Sequence, residues 1–245
     1  MNGLNNHRRV VRMRGSRRIA LIAVFAAITT ALDSMVTPGF SSGVWYGWVF
    51  LMSPVNGMIL GPWDGFLATL ISVLVGHTLV LRDSVYEYVF TLGAPLGALI
   101  AGLVFRGERR WALAYFAAFL GLYFLNPVGR GLPVWGMWDV YAAFAVLLVI
   151  TVLEKRMDGK LTANTRTAAA LGALIGLEAD ILYRIFVLVP LGGYELFYGL
   201  TPELLAMIWS VPAPLITPLK VGTSLFISIL LVPSILAITE ESFNA

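Results

Sequence analysis

Three ionisable residues stand close together in an otherwise apolar stretch, LEADILYR: Glu178, Asp180 and Arg184. Charged groups inside apolar runs are costly and are functional candidates by default. Asp180 and Arg184 are four residues apart, so on a helix they share a face and can pair. That pair reads either as a self-satisfied ion pair that fixes helix packing or as part of a ligand site. The same spacing leaves Glu178 without a partner. Lys220 opens a later apolar run, TPLKVGTSLF. It reads as an interfacial lysine snorkelling to water or as a ligand contact. His77, in GHTL, is alone in its segment, and a lone histidine is more often a satisfied structural group. Arg82, Asp83, Tyr86 and Glu87 make a polar turn that solvent alone accounts for. Asp139 follows Trp135 and Trp138 in a region where aromatic belts are expected. Trp45 and Tyr46, with Trp48 just beyond, read as interfacial anchors or as a lid whose rings stack on a ligand. Ser41, Ser42 and Gly43 would give such a lid its hinge. Taken as one cavity, these acids, bases and rings suit a small, polar, ring-bearing solute.

Several chemistries lack their motifs. The sequence has no phosphate-binding G-x-x-x-x-G-K-[ST] loop, no H-E-x-x-H and no G-x-S-x-G. It has no cysteine, which removes disulfides, thiolate metal sites and cysteine nucleophiles. The two histidines, His7 and His77, lie far apart, which argues against an intramembrane metalloprotease.

The elements that must position these residues are membrane helices. The chain has 245 residues, of which 58% are hydrophobic and 13% charged. Its mean hydropathy is +0.82. Apolar runs recur from residue 19 to residue 238 without the alternation of a β-barrel, which predicts an all-α, polytopic membrane bundle. The expected spans are 18–36, 46–61, 64–81, 86–105, 111–126, 134–153, 167–189 and 217–238. The fourth is broken at Gly93-Ala94-Pro95, and the second and third form a tight hairpin. The amphipathic stretch 194–210 is expected to cap the outer surface, giving about eight spans; if it crosses, there are nine. Residues 1–17 form a basic tail, 18–239 a single transmembrane domain and 240–245 a short C-terminal tail.

Charge sets the orientation. Six arginines fall among the first eighteen residues, and the net charge is +3. Beside a membrane span such a tail is a topogenic signal rather than a nucleic-acid arm, which predicts a cytoplasmic N-terminus in the cell membrane. Arg106, Arg109 and Arg110, and then Lys155, Arg156, Lys160 and Arg166, fall in loops on the same side. This orientation puts Glu178 near mid-membrane and Arg184 nearer the outer face.

The first span, RRIALIAVFAAITTALDSMV, carries Ala20, Ala23, Ala27 and Ala31 at helical spacing, with Ala26 beside them. Small residues in a row let a second helix approach closely. The choice is between a docking face and the ordinary frequency of alanine in membrane helices.

With that stripe, the chain resembles the substrate-binding S component of energy-coupling factor (ECF) vitamin transporters. The likeness rests on RRIALIAVFAAITTAL, on Pro38, on Pro54-Val-Asn-Gly57, on Gly61-Pro62-x-x-Gly65 through Gly76, on LGAPLGALIAGLVFR, and on PLKVGTSLFISIL. It covers about 70% of the chain, and the family usually has six spans. The departure is two or three extra spans, with the 111–153 hairpin as the addition. The resemblance implies a subunit that is not an enzyme, which captures a small water-soluble vitamin or related micronutrient. It implies docking, through Ala23, Ala27 and Ala31, on a transmembrane T subunit driven by two ATP-binding subunits. ATP would be used by those partners, with no cofactor held by this chain. Trp45, Tyr46, His77, Glu178, Asp180, Arg184 and Lys220 are the expected solute contacts. The competing readings are an intramembrane enzyme acting on a lipid or isoprenoid, a stand-alone secondary transporter, and a scaffold without ligand.

Overall fold

The computed structural model describes residues 15–35, 47–80, 85–156 and 162–244. Among them every regular element is helical. The chain runs through α1 (Ser16–Ser34), a 3-10 turn (Val49–Leu51), α2 (Ser53–Leu60) and α3 (Pro62–Leu79). Then come α4 (Val85–Thr91), α5 (Gly93–Phe105), α6 (Arg109–Leu125) and the short α7 (Pro127–Gly131). A second 3-10 turn (Val134–Met137) leads into α8 (Trp138–Arg156). The chain closes with α9 (Thr165–Leu188), α10 (Gly193–Leu196), α11 (Pro202–Ser210) and α12 (Ala213–Asn244).

The breaks follow from local chemistry. Gly61 adopts φ 97°, a conformation that disfavours any side chain, and Pro62 then starts α3 with φ already set for a helix. That turn makes the α2–α3 hairpin. Its arms touch at glycines: a methyl group on Gly65 would stand 2.5 Å from the Gly57 Cα. The expected break in the fourth span is present, because α4 ends at Thr91 and α5 begins at Gly93. Residues 194–210 do not form one helix. Thr201 accepts a hydrogen bond from the Leu204 amide and starts α11 afresh. The nine residues of α11 rise about 14 Å, roughly half the hydrocarbon thickness.

Among the described residues, three helical stretches are long and apolar enough to cross a membrane: Tyr86–Phe105, Val134–Glu154 and Ala213–Thr239. The expected count of about eight is not reached on length and composition. α2 has eight residues, well short of a full crossing, and α6 has seventeen, at its lower limit. α1 carries Arg17, Arg18 and Asp33, and α9 carries Glu178, Asp180 and Arg184, so neither is apolar enough.

α9 and α5 are the axis of the bundle. α9 is buried all round from Ile175 to Leu182, as expected of a central helix. α5 packs between it and the α2–α3 hairpin. The α5–α9 crossing is made by glycine: a methyl group on Gly97 or on Gly176 would stand 2.7 Å from the carbonyl oxygen of the other. α6 and α8 pack on one side of α9, and their core includes Phe116, Leu147 and Leu182. α12 packs on α9 and α2, and α1 lies along α3.

Candidate functional site

Four of the residues singled out by type come together where α9 meets α12. Asp180 is fully buried, and its Oδ1 accepts a hydrogen bond from Arg184 Nε at 2.6 Å. That is the pair the four-residue spacing predicts. Lys220 Nζ of α12 lies 3.6 Å from the other oxygen, Oδ2. Lys220 is only 2% exposed, so it does not snorkel to a surface. Its ammonium instead sits over the Phe50 ring, 5.4 Å from the centroid, and the Arg184 guanidinium sits 5.1 Å from the Phe90 centroid. Both contacts have cation–π geometry, which is strongest away from water.

Space for Asp180 comes from α5. A side chain on Gly93 would run into the Asp180 carboxylate and into its carbonyl oxygen, 2.8 Å away. The glycines at 93 and 97 form one row of α5 that faces the row Gly176–Asp180 of α9. The segment LGAPLGALIAGLVFR therefore makes a close helix crossing that admits a carboxylate.

Glu178 is 1% exposed. Its Oε2 has no hydrogen-bond partner among the described residues. The charged groups that act on it are Asp139 of α8, Lys220 of α12 and Asp180 of its own helix. Asp139 is held by the Thr217 hydroxyl and by the Val140 amide at 3.0 Å. From α6, the Tyr115 hydroxyl donates to the Ala179 carbonyl at 2.9 Å and covers the next turn. Above Arg184, the Tyr198 hydroxyl donates to Glu87 at 3.4 Å. Burial, and then Glu87, pushes that phenol up to about 12.

The remaining expected contacts lie elsewhere. His77 does not join this cluster. Its Nδ1 lies 2.7 Å from Asp33 Oδ2, and both side chains are 1% exposed, between α1 and α3. A methyl group on Gly76 would touch that carboxylate. One layer further in, the Asn56 amide donates to Thr29 and Thr69, each at 3.0 Å. This second polar cluster lies between α1, α2 and α3. Trp45 and Tyr46 lie outside the described residues. Ala20, Ala23, Ala27 and Ala31 are all exposed on α1, while Phe25, Ala26, Thr29 and Asp33 are buried. Ala23, Ala27 and Ala31 form one side of an open groove of about 850 Å³ whose other side is Leu67, Ile71 and Val75 of α3.

Residue-by-residue reading missed Asp33, Asn56, Tyr115 and Thr217. Asp33 had a signal, an acid within an apolar run, but it sits at the end of the span where water could explain it. Tyr115 and Thr217 had none. Among the described residues no group of three His, Asp or Glu side chains is placed to hold a metal ion.

Comparison with protein-family models, with curated proteins and with solved structures gives no match.

Proposed function

We propose that this chain is a membrane-embedded solute-binding subunit of the ECF type, which captures a vitamin-like micronutrient and hands it over by docking on a T subunit. The energy comes from ATP-binding partners. In this reading the bundle crosses the cell membrane about eight times with its N-terminus in the cytoplasm. The shorter and more charged helices are shielded by their neighbours rather than by composition.

The pattern of α12 supports a lipid environment. It buries Lys220, Ser224 and Ser228 and exposes Leu219, Phe226 and Leu230. In water that distribution would be inverted; in lipid, polar groups turn inward. The observation that carries the reading is the division of labour between faces. The alanine stripe of α1 is uncovered beside α3, and the enclosed charged cluster lies on α9 and α12. A coupling helix could pack on the first without touching the second.

The test is Ala27→Trp in the full chain expressed with its coupling partners. A bulky ring in the groove is expected to abolish uptake and leave solute binding intact. Normal uptake by that variant would sink the docking face. Native mass spectrometry of the gently purified protein supplies the second check. A retained soluble micronutrient supports the reading, whereas a retained lipid or isoprenoid would favour an intramembrane enzyme.

A further inference from the structure

We infer that the solute carries a cationic nitrogen and that the Glu178 carboxylate is the group that receives it. The inference rests on reading the chain as a solute-binding subunit. It begins from which charges are already engaged. Arg184 is committed to Asp180 at 2.6 Å and lies against the Phe90 ring. Lys220 lies 3.6 Å from the same carboxylate and over the Phe50 ring. One aspartate thus holds both cations. An anionic solute arriving here would have to displace Arg184 from Asp180, and it would face Asp139, Glu178 and Asp180 together.

The acids are in the opposite position. Three carboxyl groups, Asp139, Glu178 and Asp180, share this cluster with two cations. Asp139 has its own donors, Thr217 and the Val140 amide. Glu178 has an oxygen without a donor, at 1% exposure. A buried carboxylate oxygen without a donor is expensive, and a charged N–H is the partner that restores most. The elements packed against Glu178 bring Asp139 from α8 and Lys220 from α12, and its own helix brings Asp180. Only Lys220 among these is a cation, and it is shared with Asp180. An ammonium, amidinium or protonated ring nitrogen on the solute fills the vacancy.

The test uses the full chain in lipid nanodiscs at constant ionic strength. The probes are thiamine and benzamidine as ring cations, and nicotinate and biotin as anions. Binding to the folded protein alone raises the unfolding temperature. The expected result is a rise with at least one cation and none with either anion. Glu178→Gln keeps the side-chain shape and removes the charge, and should weaken that cation by about tenfold or more, the scale of one charge-assisted hydrogen bond. Glu178→Asp keeps the charge and should retain part of the response, which separates lost recognition from lost folding. An anion that stabilises the protein overturns the cationic assignment and leaves solute binding standing. A cation response unchanged in Glu178→Gln overturns the role of Glu178. No response to either cation also overturns the inference, and uptake by Ala27→Trp then judges the solute-binding reading separately.

Discussion

The Asp180 carboxylate occupies the space that a side chain on Gly93 would fill. These residues belong to different helices, and their contact joins the packing of the bundle to the charge it encloses. Gly93 marks the start of α5, one residue after the helix break, so the break and the slot arise together. Replacing Gly93 with alanine should displace Asp180 and loosen its hold on Arg184 and Lys220. Overpacking of this kind costs about 1–3 kcal/mol. Thermal unfolding in nanodiscs should show that loss for Gly93→Ala and none for Gly121→Ala, where a methyl group meets nothing within 4 Å.

Asp180 holds two cations, and either cation can be lost while the other remains. Asp180→Asn strands both Arg184 and Lys220 and should cost about 3–5 kcal/mol, the scale for removing one partner of a buried pair. Lys220→Met leaves the 2.6 Å Arg184 contact intact and should cost clearly less. Equal losses in the two variants would show that Lys220, not Arg184, carries the pairing.

Asp33 and His77 predict a coupled pair of a different kind. They lie 2.7 Å apart, both buried, where α1 packs along α3. Asp33→Asn and His77→Gln should each destabilise the protein, and the double variant should lose less than the sum. A coupling of about 0.5–3 kcal/mol is expected of residues in direct contact. Additive losses would mean that the contact contributes nothing of its own.

The chain has no cysteine, so single-cysteine labelling needs no background substitutions. Spin labels along α12 should report high oxygen accessibility at Leu219, Phe226 and Leu230, and low accessibility at Ser224 and Ser228. A flat profile, or high accessibility to a water-soluble relaxant at Phe226, would contradict a lipid-facing α12. On α1 the same measurement should separate Ala23, Ala27 and Ala31 from Phe25 and Ala26.

What the sequence determined by itself is what the helical period governs. Apolar runs without alternation made the protein all-helical. Four-residue spacing put Asp180 beside Arg184. Gly93-Ala94-Pro95 broke the fourth run, and the alanines at 20, 23, 27 and 31 came out on one face of α1. Each of these depends on backbone geometry within one helix, which is local and obeys a fixed repeat. The tertiary structure decided the rest. Lys220 joins Asp180 and not the surface, because α12 turns its polar row toward α9. His77 pairs with Asp33 and not with the α9 cluster, because α1 lies along α3. Three described stretches, and not about eight, are long and apolar enough to cross a membrane, because helices such as α9 carry charged residues that pair inside the bundle. Which helix faces which depends on where glycines allow close approach, as at Gly97 and Gly176. No spacing rule within a single helix contains that choice, because the energy lies in contacts between residues far apart in the chain.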